Sequence, residues 1–525
     1  MKAYSIICCF FYMVSFNISA QSTSEITTPF QASAQSSLPT SSEINVYLKQ
    51  VTKKSDLASM VQLGLSAGKR PINAIRLSKD PKFLNDGLSA PKKLTVMLVA
   101  SQHGNEPSGA EAMQILIKDI VFGQNKKLLD TMDLLIIVMA NPDGRDLQSR
   151  SNAANENLNI DYTAVKSSET QMYINVLNEY QPNVLFDIHE SGIYKRILSG
   201  EQGYMTDVEA QFEIGNNPNI DFALRDYSEN IFLPALIKAV NQAGLRTKRY
   251  QGEITQLKQA VRRGGLGISN LRNYAAMQGI LSVLLENRLD SKQGTYPSPR
   301  NIKERVRKQL LSTETFLNLV ANNASTILNV TDNAAEHWSS GSENEKEIAL
   351  NVHFDTNKQQ PVTQIPLTKI ATGKNILQEF ANNDAIIAEM TIPLPKAYVI
   401  NKHQLHFKQW LSHHHIKHYL IEKSQILTLE SLFAKNINTA NKHKPGIRDF
   451  VSLTLMGKIQ KIPVTTADIW IPLDQPKAAL AAIMLDPRSS TAIFQEPNWQ
   501  PLLKEAPLAL SILPRGSQIQ RLAKP

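Results

Sequence analysis

The chain has 525 residues, of which 42% are hydrophobic and 20% charged, and it carries a net charge of +9. This length exceeds one ordinary domain, and the composition is that of a folded globular protein. The basic residues are spread along the chain and form no long Lys/Arg block, which argues against a nucleic-acid-binding arm. We therefore expect no nucleic-acid partner.

The N-terminus has the pattern of a secretory signal peptide over residues 1–20. Lys2 precedes the apolar stretch AYSIICCFFYMVSF, and the small-residue exit ISA ends at Ala20. The apolar core is short for a membrane helix, so we expect a secreted or periplasmic protein without stable membrane insertion after cleavage; the alternative is an uncleaved anchor. Cys8 and Cys9 both lie in this segment. The mature chain must therefore build any metal site from His and carboxylates.

Residues 21–45 are rich in Ser and Thr, and we interpret them as a flexible tether. Over residues 46–325, apolar runs alternate with patterns of helical spacing. Apolar runs of this length suit strands that are buried on both faces. The alternation predicts an α/β fold with a mixed, largely parallel central sheet and helices on both faces. The predicted strands are LTVMLVA (94–100), LLIIVMA (134–140), NVLFDIH (183–189) and ILSVLLE (280–286).

The texture of the sequence changes after this region. A polar stretch suggests a linker over residues 326–345. Beyond it, short alternating runs such as IALNVHF, AIIAEMTI and KAYVI predict a smaller, β-rich α+β domain over residues 346–525.

Four residues with metal-site chemistry stand at the ends of predicted strands. His103 and Glu106 follow the first run, His189 ends the third and Glu286 ends the fourth. The carboxyl ends of parallel strands gather at one edge of a sheet, where ligands bind. A catalytic zinc takes three protein ligands and keeps one position for water. We therefore expect His103, Glu106 and His189 to hold one zinc ion, and Glu286 to act as the general base.

Each of these residues has an ordinary interpretation when it is taken alone. HGNE could be a loop with a helix N-cap, His189 a hydrogen-bonded strand-end histidine, and Glu286 a buried ion-pair partner. Their coincidence at strand ends favours the metal site. Asp187, two residues before His189 on the same side of its strand, is placed to orient the imidazole.

The motifs HGNEPSG, NPDGRDLQSRSNAANENLNIDY, FDIHES and LLENR resemble, in that order, those of zinc carboxypeptidases of the carboxypeptidase A type. The resemblance spans roughly residues 46–320, and the C-terminal part resembles the trailing domain of secreted bacterial members. It implies a peptide substrate. It also implies that Arg150 polarises the scissile carbonyl and steadies the oxyanion, as a fixed positive donor should. Asn159 matches the asparagine that holds the substrate's terminal carboxylate. Tyr274 is the candidate for the mobile substrate-binding tyrosine, with a packing role as the equal alternative.

One position departs from the family pattern. Members usually carry Asn-Arg where this chain has Asn159 and Ile160, and isoleucine cannot hydrogen-bond a carboxylate. Either another arginine takes over, or the substrate needs no free α-carboxylate. The candidate replacements are Arg196, Arg262, Arg263, Arg272 and Arg288.

The histidine cluster HHHIKH (413–418) lacks evident carboxylate partners and follows a helical pattern, so we expect a solvated helix end there. Taken together, the sequence predicts an exported zinc-dependent metallocarboxypeptidase that cuts peptides at or near the C-terminus. Two alternatives remain. One is a zinc amidase or deacylase whose substrate lacks a free α-carboxylate, and the other is a non-catalytic binding protein on the same scaffold.

Overall fold

The computed structural model describes residues 26–517 except 91, 193–202, 207, 253, 255, 290–300, 340–345, 370–371 and 440–450. The predicted signal peptide lies outside these residues. None of the helices in the described part of the chain combines the length and the apolar composition of a membrane span.

An eight-stranded sheet forms the centre of the molecule, in the order β1-β2-β4-β3-β5-β9-β7-β8. The four middle strands, β4, β3, β5 and β9, run parallel, and β3 and β4 are buried along their whole length. This is the predicted mixed, largely parallel sheet. The strands of the first part of the chain are β1 Ala58–Leu65, β2 Pro71–Leu77, β3 Leu94–Ala100, β4 Met132–Ile137, β5 Val184–Gly192, β6 Tyr204–Thr206, β7 Ala210–Ile214, β8 Thr247–Arg249 and β9 Leu281–Leu289.

Helices cover the sheet, and their ends follow from local chemistry. Thr40 and Glu43 form a capping box at the start of the second helix, and Ser167 caps the sixth through its side chain. The α-helices are α1 Pro29–Ala32, α2 Ser41–Lys53, α3 Pro81–Asp86, α4 Ser108–Phe122, α5 Pro142–Leu147, α6 Ser168–Tyr180, α7 Phe222–Tyr227, α8 Leu233–Gln242, α9 Leu271–Ala276, α10 Ile302–Asn322, α11 Ala324–His337, α12 Gln404–His413 and α13 Ala478–Leu485. Short 3-10 helices span Gln124–Asp130, Leu158–Ile160, Ile493–Gln495 and Gln500–Lys504, and Ser228–Phe232 is a π-helix.

The described residues from 346 onward, which we call the C-terminal region, are rich in β-structure, as predicted. They contribute a six-stranded sheet in the order β15-β18-β14-β19-β16-β17 and a β10-β13 pair. A third sheet joins β12 and β11 to β6 of the first part of the chain, with Leu367 opposite Thr206. The strands are β10 Glu347–Asp355, β11 Val362–Lys369, β12 Asn375–Ala381, β13 Ala385–Pro393, β14 Ala397–Ile400, β15 Tyr419–Leu420, β16 Gln425–Thr439, β17 Val451–Val464, β18 Ile469–Pro472 and β19 Leu510–Leu513.

The described parts of the two predicted connecting segments contain helices. In the expected tether, Phe30 is buried in the core, and Thr28 caps a short helix. In the expected linker, α11 buries Ile327, Thr331 and Ala334 along one face. Capping and a few apolar residues at helical spacing outweigh the polar composition of both segments, so the expectations of a flexible tether and a linker were wrong there.

Candidate metal centre

The turn after β3 carries the first two candidate ligands. The Glu106 amide donates to the His103 carbonyl at 3.1 Å, which folds the turn back on itself. A Cβ at Gly104 would overlap the backbone of Gly144 and Arg145 in α5. Glycine is therefore required here by the close approach of α5.

Three donor groups from two strand ends converge. His103 Nδ1 lies 3.0 Å from His189 Nδ1 and 2.9 Å from Glu106 Oε1. His189 Nδ1 lies 2.9 Å from Glu106 Oε2. Donor atoms around a tetrahedral zinc are separated by about 3.3 Å, given zinc–nitrogen bonds of about 2.05 Å. Two nitrogens and a carboxylate at this spacing fit a zinc ion, and among the described residues this is the group of His and acidic side chains that could hold a metal. We call these three residues the metal cluster.

The outer nitrogens of both imidazoles have partners that set the ring orientation. Asp187 Oδ1 lies 3.0 Å from His189 Nε2, the contact expected of this residue. Gln102 Nε2 donates to the same carboxylate oxygen at 2.7 Å. Asn157 Oδ1 lies 3.1 Å from His103 Nε2. Because the Nε2 atoms are engaged outside, both Nδ1 atoms face the centre of the cluster.

Close contacts between the ionisable groups of the cluster favour their charged forms, although burial disfavours those forms. Burial opposes ionisation of Glu106, but His103 and His189 together hold the pKa of this carboxyl well below its usual range. Burial likewise disfavours the His189 cation, yet Asp187 and Glu106 raise the pKa of that imidazole well above its usual value. Glu106 is thus an anionic donor, as a cation site requires.

Glu286 and Arg150 flank the metal cluster. Glu286 is the register partner of His189 in the parallel β5–β9 ladder, so both side chains leave the sheet on the same side. β5 and β9 both continue three residues beyond the predicted strand ends, to Gly192 and Leu289. Arg150 Nη1 lies 3.2 Å from Glu106 Oε1, and 54% of the arginine side chain is exposed.

Asn159 and Ile160 lie on the short 3-10 helix beside the cluster. Asn159 Nδ2 is 3.4 Å from His189 Nε2, and its Oδ1 accepts a hydrogen bond from the Leu271 amide at 3.3 Å. The Ile160 side chain is exposed.

The described arginines that could replace the missing clamp are engaged elsewhere or exposed. Arg263 pairs with Glu229, and Arg288 lies near Glu209. Arg272 is buried and donates to the Gly265 carbonyl. Arg262 is exposed, and Arg196 falls outside the described residues.

Tyr274 is a packing residue. It is fully buried on α9, its hydroxyl lies 2.9 Å from His414 Nδ1, and its ring packs 5.6 Å from that of Tyr162. A side chain enclosed in this way cannot swing into a substrate site, so the mobile-tyrosine interpretation was wrong. The residue that contacts the Tyr274 hydroxyl, His414, lies 140 positions further along the chain. The local sequence around Tyr274 could not reveal this contact.

The HHHIKH segment is only partly a solvated helix end. His415 is exposed, but His414 is fully buried, and burial lowers the pKa of its imidazole to about 3. His414 Nε2 lies 3.2 Å from the Thr163 carbonyl, which also accepts a hydrogen bond from Trp410 Nε1 at 2.9 Å. The C-terminal region thus contacts the loop that follows Asn159 and Ile160 through two side chains at the Thr163 carbonyl.

A profile of the zinc carboxypeptidase family matches residues 44–312, slightly more than half of the chain. The chain belongs to the zinc carboxypeptidase family. Membership makes it a metallocarboxypeptidase by class, and the family is zinc-dependent, in keeping with the His–Glu–His group.

Several known proteins are similar to this member of the family. Carboxypeptidase 2 of Trichophyton tonsurans is 24% identical over 407 residues, which cover 76% of this chain and 72% of the relative. Carboxypeptidase 2 of Trichophyton rubrum is 24% identical over 408 residues, with the same coverage of 76% and 72%. Among solved structures, a metallo-carboxypeptidase from Burkholderia cenocepacia has 19% identity and a TM-score of 0.41, covering 55% of this chain and 70% of that one.

Proposed function

We propose that this chain is an exported, zinc-dependent peptidase that hydrolyses peptide bonds at or near the C-terminus of its substrate. The observation that carries the proposal is the convergence of His103, Glu106 and His189: the two Nδ1 atoms lie 3.0 Å apart, and each lies 2.9 Å from one of the two Glu106 carboxylate oxygens. The apolar N-terminal segment supports export. N-terminal sequencing of the exported protein should then begin at Gln21.

Each side chain has a task that follows from its position. A zinc ion in the cluster would lower the pKa of water and polarise the substrate carbonyl. Glu286, beside His189 on the neighbouring strand, takes a proton from the attacking water and returns one to the leaving amine. Arg150 brings a positive, partly exposed guanidinium to the same edge, where it donates to the developing oxyanion. Asn159 is placed to hydrogen-bond the substrate.

A second candidate function rests on Ile160. The exposed isoleucine stands where family members usually carry an arginine for the substrate carboxylate. A substrate without a free α-carboxylate, as for an amidase or deacylase, would not need that arginine.

The test is a paired hydrolysis assay on purified mature protein, with bound zinc measured in parallel. One set of peptides has free C-termini, and a matched set is C-terminally amidated. Glu286→Gln is run beside the parent, with Glu179→Gln, a change at an exposed helical carboxylate, as the matched control.

Release of C-terminal residues from the free set alone, lost in Glu286→Gln but kept in Glu179→Gln, supports the carboxypeptidase. Equal or faster cleavage of the amidated set supports the second candidate. Protein that binds zinc but cleaves neither set contradicts a peptidase assignment.

A further inference from the structure

A large cleft opens between the loop that carries Ile160 and the C-terminal region. Its volume is about 560 Å³, within the range of ligand-binding sites. Asn157, Ile160 and Thr163 line one wall, while Thr491, Gln495 and Gln500 line the opposite wall. The C-terminal region therefore builds one side of this space.

The cleft begins at the edge of the metal cluster. Asn157, which lines it, places Oδ1 3.1 Å from the outer nitrogen of His103. Ile160 directly follows Asn159, which approaches His189. Both contacts are made with outer imidazole nitrogens, so the cleft lies directly beside the metal cluster.

The charge in the cleft is negative. Its ionisable lining residues are Glu156, Asp161, Lys166 and Glu496. Lys166 Nζ pairs with Glu496 Oε2 at 2.8 Å across the cleft. This ion pair neutralises the positive charge of the lysine. Asp161 accepts hydrogen bonds from the amide and the hydroxyl of Ser167. The Glu156 carboxylate makes no hydrogen bond or ion pair with the described residues.

These features select among ligands. A free carboxylate would meet a net negative wall and an isoleucine, both unfavourable. A basic side chain would meet the unpaired Glu156 carboxylate. The mixture of carboxamide, hydroxyl and apolar groups on both walls suits the backbone and side chains of an extended peptide.

We propose that the cleft between Ile160 and the C-terminal region binds an extended segment of the peptide substrate and favours basic side chains opposite Glu156. This inference rests on the proposed peptidase function and specifies its substrate class. It assigns the C-terminal region a direct part in substrate binding.

The experiment measures peptide binding to the full mature chain carrying Glu286→Gln, loaded with zinc, so that the result does not depend on turnover. Fluorescent peptides share one short core and are extended by glycines, with a single Lys, Gln or Glu placed at each successive position. Extended peptides should bind more tightly than the core. At one position, Lys should bind about two- to fivefold more tightly than Glu at low salt.

Two changes in the cleft test the assignment. Glu156→Gln should remove the preference for Lys over Glu, whereas Glu179→Gln should keep it. Thr491→Trp should fill the cleft and reduce the affinity for extended peptides to that for the core. Thr454→Trp, at an exposed site on β17 that does not line this cleft, is its matched control.

Equal affinities for core and extended peptides, or an unchanged Lys preference in Glu156→Gln, would overturn the proposal. Zinc content and the unfolding midpoint show that each variant is folded. If Thr491→Trp is not folded, Gln500→Trp fills the same cleft from the same wall. Hydrolysis of the short core by the parent enzyme tests the peptidase function separately, so the two ideas can fail independently.

Discussion

Two groups of histidines in this chain differ both in their spacing along the sequence and in their structure. The metal cluster joins His103 and His189, which are 86 positions apart, through a shared carboxylate. The histidines at 413–415 are adjacent, yet they point into different surroundings, and the buried His414 binds a tyrosine hydroxyl and a backbone carbonyl.

The difference shows what makes histidines a metal site. Separate strands aim the donor atoms of the metal cluster at one point, and a buried anion balances the charge of a cation. Neighbouring histidines at a helix end diverge around the helix axis. His414 then acts as a neutral hydrogen-bonding group that holds two parts of the molecule together.

The largest expected effect comes from breaking the metal cluster. His103→Ala should abolish zinc binding and lower kcat/KM by about 10³-fold or more, because zinc supplies several kcal/mol of transition-state stabilisation. His415→Ala should change neither quantity. Metal analysis and hydrolysis assays measure both. Zinc retained in His103→Ala, or lost in His415→Ala, would contradict the assignment of the zinc site to the metal cluster.

Removing the buried histidine should cost stability. His414→Ala leaves a cavity and strips the Tyr274 hydroxyl and the Thr163 carbonyl of a partner, so the free energy of unfolding should fall by about 3 kcal/mol. His415→Ala, at an exposed site, should stay within about 0.5 kcal/mol of the parent. Urea unfolding gives both values. An equal loss of unfolding free energy in both variants would mean that the contacts of His414 do not stabilise the fold.

The contact that orients the His189 imidazole can be removed without removing a metal ligand. Asp187→Ala should lower zinc affinity by about 10- to 100-fold, because the carboxylate that fixes His189 Nε2 is lost. Competition with a chelator measures the affinity. An unchanged affinity would mean that Gln102 or Asn159 orients the ring alone.

The buried His414 should also make the stability of the fold depend on pH. The pKa of His414 is lowered to about 3 in the fold, while the unfolded chain takes up a proton near its usual value of about 6.5. The unfolded state thus binds more protons between these values, and stability falls as pH drops through this window. The loss from this residue is about 2 kcal/mol between pH 7 and pH 5. Unfolding of parent and His414→Gln at both pH values should show a shallower slope in the variant; equal slopes would contradict it.

Local sequence patterns predicted much of the central fold. Apolar runs indicated β3 and β5 because strands buried on both faces leave a continuous signal, and strand ends indicated where His103 and His189 would meet. The order of the motifs added the family, which the profile match supports.

Contacts between distant segments could not be predicted in this way. Nothing near Tyr274 reveals that His414 covers it, and nothing near Phe30 reveals the core pocket that it fills. Polar composition also hid α11, whose buried face needs only a few small or apolar residues. Such features depend on packing partners far along the chain.

The contacts of Trp410 and His414 with the Thr163 carbonyl have a consequence for the biosynthesis of the protein. A ribosome makes the whole central sheet before it reaches Trp410 and His414, so the loop beside Ile160 waits for more than 240 residues of further synthesis before its anchors exist. The proposed substrate site is therefore completed late in biosynthesis. A chain released early would hold the complete metal cluster and yet lack the wall against which the proposed substrate lies.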